Sequence, residues 1–420
     1  CDFFLKEMAT SVNRLAKLLK DPVHCRFVPV MLAEALSASE TAVLLEKLES
    51  IQVSVDSIVV NRLYPASACP ACMDRHNRQI KYIRKFSSHD LLSKYSLWGV
   101  PLYPQEICGT ESLDIFWRSA EIFDETNSVN SVASSAQIPK VEEPAPLPSL
   151  ETKLLFFAGK GGVGKTTLAC ATAVRLAHDL RGKKILLFST DPAHSLSACL
   201  ESRIGPVPTT VCSGLEAMEI NPQTEFDVLK AEYHKELEGL FQSLLPNVDL
   251  AFDRNVMEKL LDLSPPGLDE VMALNRVMEF IGRREYDVIV IDSAPTGHLI
   301  RLLELPELID AWLKAFFGVL LKYKHILRLP KMCQRFVEMS KNLKLLRKLL
   351  GNPDESALYG VAILTEMAYQ ETKDLAAACE KMGIQVPVLF LNLATLPAEC
   401  ALCSSLHKRE SAMRDKFDRA

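Results

Sequence analysis

The chain lacks any long apolar run free of charge. Its most apolar region, residues 302–327, is interrupted by Glu304, Glu307, Asp310, Lys314 and Lys322, and charges in mid-bilayer are costly. An excess of positive charge is also missing. Lys and Arg number 48 against 53 Asp and Glu, a formal net charge of −5. That balance gives no electrostatic footprint for nucleic acid, so none is expected as a partner. No secretory leader is visible, so the twelve cysteines predict a reducing, cytoplasmic location. Paired cysteines there read as metal ligands before disulfides. Glycine is scarce, 17 in 420 residues, yet four of them fall at positions 159, 161, 162 and 164.

Those four glycines belong to Gly159-Lys160-Gly161-Gly162-Val163-Gly164-Lys165-Thr166, which follows the apolar run Leu154–Phe157. This is the phosphate-loop pattern G-x-x-x-x-G-K-[ST], here between a predicted strand and a predicted helix over 166–180. Glycines let backbone N–H groups turn inward around phosphate oxygens, and the helix N-terminus adds partial positive charge. Gly159 to Thr167 are therefore the expected ATP-binding residues. Lys165 is expected on the β- and γ-phosphates, and the Thr166 hydroxyl on Mg²⁺.

The chain repeats itself at a fixed offset of 331. Cys69 and Cys72 map onto Cys400 and Cys403, Met8 onto Met339, Leu15 onto Leu346, Asn61 onto Asn392 and His76 onto His407. One ungapped register over about eighty positions implies the same structural segment in two copies. Residues 125–150 are rich in Ser, Pro and Ala and read as a tether. The expected order is the back part of a first ATPase domain (1–124), the tether, then the front and middle of a second domain (151–420). The first copy has no phosphate loop, and the sequence opens on Cys1 rather than Met, so the chain is expected to be a fragment of a tandem protein. Short apolar strands alternating with helices predict an α/β fold with a doubly wound, mostly parallel sheet in each copy.

Two acidic loops follow predicted strands. Residues 184–189 lead into Asp191-Pro192-Ala193-His194-Ser195-Leu196, and 287–291 into Asp292-Ser293-Ala294-Pro295-Thr296-Gly297-His298. Carboxylates just beyond strand ends lie where doubly wound sheets bind ligands. Asp191 is the candidate to orient the attacking water, an Asp-Pro turn being the plainer alternative. Asp292 closes a Walker B pattern and is the candidate to hold Mg²⁺ through water. His298 reads as a switch residue or as a helix start.

Together, the loop and the Asp-Pro-Ala-His-Ser-Leu and Asp-Ser-Ala-Pro-Thr-Gly-His motifs resemble the arsenical pump-driving ATPases. They equally resemble the related ATPases that deliver tail-anchored membrane proteins. Pro265-Pro266-Gly267-Leu268-Asp269-Glu270 and the Cys-x-x-Cys pairs match as well. The loop is then a deviant Walker A loop. By this resemblance Lys160 reaches the nucleotide of a facing domain, Asp191 is the catalytic carboxylate, and Asn392, with Asn61 in the first copy, recognises adenine. Val100–Pro104 looks like the adenine-side loop, and the two domains form an intramolecular pseudodimer.

The matched cysteine pairs supply four thiolates, the number a structural zinc needs. Cys69, Cys72, Cys400 and Cys403 are therefore candidate ligands of one Zn²⁺ bridging two facing domains, reduced and unligated thiols being the alternative, with His76 and His407 as alternative ligands or solvated helix residues. The arsenite reading is weakened by the lack of cysteine between Cys212 and Cys333. Cys199 and Cys212, each alone, read as small buried hydrophobes. The apolar segment 305–327 is either an ordinary helical layer or, as in tail-anchored-protein ATPases, part of a groove for a client's membrane helix. The resemblance thus implies an ATPase subunit energising arsenite or antimonite efflux through a membrane permease. The alternative is an ATPase chaperone for hydrophobic membrane-protein clients.

Overall fold

The computed structural model describes residues 2–87, 94–122, 152–190, 195–221, 268–292, 330–398 and 400–419, with scattered residues between 224 and 235 and Lys314. The chain divides into two compact units. One comprises Cys1–Pro144 together with Ala394–Ala420, the other Ala145–Leu393. The tether 125–150, the segment 305–327 apart from Lys314, and Asp191, His298 and Pro265–Gly267 lie outside the described residues.

The second unit is built on β5 (Leu154–Gly159), α5 (Lys165–Asp179), β6 (Ile185–Ser189), α6 (Ser195–Cys199), β7 (Thr209–Cys212), β8 (Leu215–Glu219), α7 (Leu268–Arg283), β9 (Val288–Asp292), α8 (Pro330–Leu350), β10 (Ser356–Ile363), α9 (Glu366–Met382) and β11 (Val388–Asn392). Its strands form one sheet in the order β11-β10-β5-β9-β6-β8-β7. Every pairing is parallel except β7 with β8. Each residue of β5, β6 and β9 is buried, which is why these strands read as unbroken apolar runs. Leu155, Phe157, Leu187 and Val290 face one apolar cluster that also takes in Ala169, Ala173 and Leu176 of α5. The helix carrying the phosphate loop is anchored by that burial.

In the first unit, β1 (Val30–Leu32), β2 (Ser57–Leu63), β3 (Ser96–Pro101) and β4 (Glu121–Ile122) form a sheet in that order. It is accompanied by α1 (Asp2–Lys20), α2 (Ala35–Ser50), α3 (Pro70–Ser87), α4 (Thr110–Arg118) and, from the far end of the chain, α10 (Ala401–Asp418).

The sequence repeat is a structural repeat. Shifted by 331, α2, α3 and β1 fall on α9, α10 and the end of β10. The β1–β2 register, Val30↔Val59 and Leu32↔Asn61, becomes Val361↔Phe390 and Ile363↔Asn392 in β10–β11. Arg62 and Leu393, matched positions, both take positive φ, 61° and 58°. So do Gln52 and Gly383, at 63° and 71°. Backbone angles rare for ordinary residues recurring at one offset are hard to produce by chance.

The copies differ in what covers them. Met339, Leu343, Leu346, Leu349 and Leu350 on α8 are all 8% exposed or less, while their counterparts Met8, Val12, Leu15, Leu18 and Leu19 on α1 are 44% exposed or more. In the second unit α8 packs on α7, where Asn342 Nδ2 donates to Asn275 Oδ1 at 2.7 Å. Leu346→Ala is therefore expected to cost about 2–5 kcal/mol by emptying a packed site. Leu15→Ala should cost less than about 0.5 kcal/mol, as at other exposed positions. Urea unfolding of the two variants compares them directly; equal losses would mean that Leu15 is packed as Leu346 is.

Candidate nucleotide site and cysteine cluster

The phosphate loop leaves β5, and Ser189 and Asp292 stand at the carboxyl ends of the two strands beyond it. The parallel registers set Asp292 beside Phe157 and Ser189 beside Asp292. The carboxyl ends of β5, β6 and β9 therefore gather the start of the loop, Ser189 and Asp292, at the kind of crevice where doubly wound sheets bind ligands. Gly162 and Gly164 take φ of 75° and 92°, which a side chain resists. Gly159 lies against the Val361 carbonyl, closer than any Cβ allows. Gly161 and Gly162 face open space. Gly164 is the N-cap of α5 and has no side chain to occupy the first N–H groups, which suits an anion at the helix start.

Lys165 is buried, and its Nζ donates to the Lys160 carbonyl at 3.0 Å, curling the loop around it. Asp292 is 1% exposed. Its Oδ2 accepts from Thr166 Oγ1 at 2.8 Å and from Ser189 Oγ at 3.3 Å. A buried carboxylate needs such partners. The pairing of Thr166 with Asp292 is also the donor set that Mg²⁺·ATP requires, a hydroxyl and a carboxylate at the mouth of a phosphate loop. Val163 is buried beneath the loop, and Thr167 continues α5.

Asn392 ends β11, and its Nδ2 donates to the Val163 carbonyl at 2.9 Å. Its amide nitrogen lies where a Cβ at Gly164 would sit, and the φ of 92° at Gly164 is one that a side chain resists. Asn61 behaves differently: its Oδ1 accepts from the Arg62 N–H at 2.8 Å. Lys160 points to α9 of its own unit, with Nζ 3.0 Å from Glu371 Oε1 and in contact with Met367 Sδ. Sequence reasoning did not single out Glu371, because its meeting with Lys160 depends on β10 lying beside β5. It also missed Glu219, 2% exposed at the end of β8, which accepts from the Leu196 N–H at 3.2 Å and from Ser197 Oγ at 3.3 Å. This carboxylate fixes the start of α6, next to the segment that carries Asp191. Its only signal was an acid closing an apolar strand.

Within the first unit, Cys69, Cys72, Cys400 and Cys403 converge, their sulfurs all within 4.8 Å of one another. Cys72 Sγ lies 3.2 Å from Cys403 Sγ and 3.6 Å from Cys400 Sγ. Two helix starts build the cluster. Pro70 opens α3 directly after Cys69, and Cys400 caps α10, its sulfur accepting from the Cys403 N–H at 3.3 Å. That N–H bond pulls the Cys400 thiol down to about 7, while burial pushes Cys72 and Cys403 up. Four sulfurs around a tetrahedral Zn²⁺, with Zn–S of about 2.3 Å, stand roughly 3.8 Å apart. The spacing and the all-thiol set fit that ion.

The histidines are not part of the cluster. His76 Nδ1 bonds the Tyr64 carbonyl at 2.6 Å, and His407 Nδ1 the Thr395 carbonyl at 2.9 Å, again matched at the repeat offset. Both are half-buried positioning residues rather than solvated ones. Tyr64 N–H in turn donates to Gln79, and Thr395 N–H to Glu410, so each pair locks the loop ahead of its Cys-x-x-Cys onto the helix behind it.

A mostly parallel α/β sheet with a glycine-rich loop leaving a central strand for a helix defines the phosphate-loop nucleotide-hydrolase class. Within that class the chain belongs to the anion-transporting ATPase family, whose sequence model matches residues 4–120 and 152–419. It is an ATPase of that family. It is similar to ATPase ASNA1 homolog 1 of Paramecium tetraurelia, 27% identical over 63% of this chain and 82% of the relative. A putative arsenical pump-driving ATPase of Chlorobaculum tepidum is 30% identical over 57% of this chain and 60% of the relative. ATPase ARSA1 of Chlamydomonas reinhardtii, 26% identical, is covered differently: the similarity takes in 92% of this chain and 51% of the relative. Among the described residues no helix is long and apolar enough to cross a membrane.

Proposed function

We propose that the protein is the ATP-hydrolysing subunit of an arsenite and antimonite efflux system that works through a membrane permease. ATP lies with its phosphates on residues 159–167 and with Mg²⁺ on Thr166 and Asp292. Asp191 orients the attacking water. Lys160 exchanges Glu371 for the nucleotide of a facing ATPase half, and Asn392 and Asn61 serve adenine in their respective copies. Residues 1–124 are the back part of one ATPase domain and 151–420 the front and middle of another, joined by the tether 125–150. The two domains close on each other as a pseudodimer, with zinc on the four cysteines. The protein acts in the cytoplasm, peripheral to the membrane through its partner.

The observation that carries this reading is the duplication. Similarity to ARSA1 runs through 92% of this chain and only half of that relative, as expected where two ATPase halves occur in one polypeptide. A second reading, an ATPase chaperone for hydrophobic membrane-protein clients, is favoured by the relatives named ASNA1 homolog and by the apolar segment 305–327. ATP turnover with and without arsenite or antimonite separates the two. Stimulation by the metalloid supports efflux. No response to metalloid, with stimulation by a synthetic apolar helix, supports the chaperone.

A further inference from the structure

Among the described residues, the four-cysteine cluster is the one group of three or more Cys, His, Asp or Glu side chains placed to share an ion. A structural zinc takes all four sulfurs, but three of them already form a smaller set. The contacts of 3.2 and 3.6 Å both fall on Cys72 Sγ and join it to Cys403 and Cys400. Cys400 is held in turn by the Cys403 N–H. Cys72 and Cys403 are 1% and 3% exposed, while Cys400 is half-buried. The trio therefore has two sulfurs in the interior and one toward solvent. Cys69 stands just before α3 as the fourth. The gap in cysteine between Cys212 and Cys333 counts against a thiol site in that stretch of the second copy and not against this one.

We propose that Cys72, Cys400 and Cys403 bind trivalent arsenic, in competition with zinc at the same cluster. The choice of arsenic rests on the efflux reading; the choice of site rests on the three sulfurs. Trivalent arsenic makes three bonds and keeps a lone pair, so it sits at the apex of a pyramid on three thiolates and leaves a fourth unused. Soft thiolates suit such a soft centre. The step is a ligand exchange with no change of oxidation state. Each sulfur attacks arsenic, an As–S bond forms and an As–O bond breaks, and the thiol proton leaves with the hydroxyl as water. Three thiols and one arsenous acid give one trithiolate and three waters. Where zinc is displaced, the ion leaves and solvent supplies the three protons. Arsenous acid is uncharged near neutral pH, so it brings no charge into the buried part of the cluster. Cys400, the half-buried sulfur, makes the first bond. The next two are then formed within one molecule, which a lone thiol such as exposed Cys108 or Cys212 does not offer.

The test adds sodium arsenite to the zinc-loaded full chain without ATP. Native mass spectrometry should show one zinc leaving for each arsenic bound, and X-ray absorption should find arsenic surrounded by three sulfurs and no oxygen. Cys69→Ser separates the two ions. It should keep the three-sulfur arsenic and lose zinc affinity on the order of 10²-fold, as one of four ligands is gone. Cys72→Ser and Cys403→Ser should lose the three-sulfur signal. The unmodified chain and Cys69→Ser decide the matter even if these buried positions do not tolerate serine. Arsenic that binds while zinc stays in place overturns the proposal. So does arsenic that keeps oxygen in its shell, or that peptide mapping finds on Cys108 or Cys212. Binding is read without turnover, so the two readings fail separately. Arsenic on the three sulfurs with ATP hydrolysis that ignores arsenite upholds the site and removes the efflux reading. Arsenite that stimulates hydrolysis without entering the cluster overturns the site alone.

Discussion

Asp191→Asn is expected to bind ATP about as tightly as the unmodified protein and to hydrolyse it about 10²–10⁴-fold more slowly, the range for losing a positioned general base. The argument begins at the sheet. Strand β6 ends at Ser189, which pairs with Asp292 in β9, and the Thr190 N–H points to the Asp292 carbonyl at 3.5 Å. Thr166 and Asp292 meet at the same strand ends, and Asp191 is the next residue after Thr190 in the sequence. In its proposed role the carboxylate acts on water, not on the nucleotide, so binding and chemistry are expected to separate in the variant. Asn keeps the size and loses the base. Calorimetric ATP affinity and steady-state phosphate release measure the two separately, and turnover near that of the unmodified protein would remove Asp191 from the mechanism.

The second large effect concerns the four cysteines. Purified without chelator, the protein should carry about one zinc per chain, the stoichiometry four thiolates give. Replacing Cys72 and Cys403 together with serine should release it. Zinc bound by small folded sites is worth roughly 10–16 kcal/mol near neutral pH, so loss of two ligands is not a marginal change. Binding should weaken as pH falls, because protons compete for the thiolates. Burial makes Cys72 and Cys403 the harder pair to ionise, while Cys400, held at about 7 by the Cys403 N–H, is ready near neutrality. Metal that survives loss of either pair would show that the four sulfurs do not share one ion.

Much of this molecule was legible because its chemistry is local in sequence. The phosphate loop, the strands before Asp191 and Asp292, and both Cys-x-x-Cys pairs are short patterns. The repeat needed only one register. Several short strands carry little signal in the sequence. The three residues of β1 and the two of β4 are too few for any period, and β7 alternates half-buried with exposed residues at the sheet edge, antiparallel to β8. The apolar run at 360–364 marks only the end of a strand, since β10 begins at Ser356. Its hydroxyl caps the end of α8 through the Leu349 and Leu350 carbonyls, a tertiary reason with no periodic signature. The pairing of Lys160 with Glu371 was equally invisible, being set by strand order. So was the contrast between α1 and α8, which share a pattern and differ only in what lies against them.

The most direct test of the central claim is phosphate release from ATP by the purified chain, with Mg²⁺ and with Mg²⁺ removed by EDTA, beside Asp191→Asn. The site built from Lys165, Thr166 and Asp292 predicts release that requires Mg²⁺ and nearly disappears in the variant. Release that persists in EDTA, or that Asp191→Asn sustains at the unmodified rate, would contradict it.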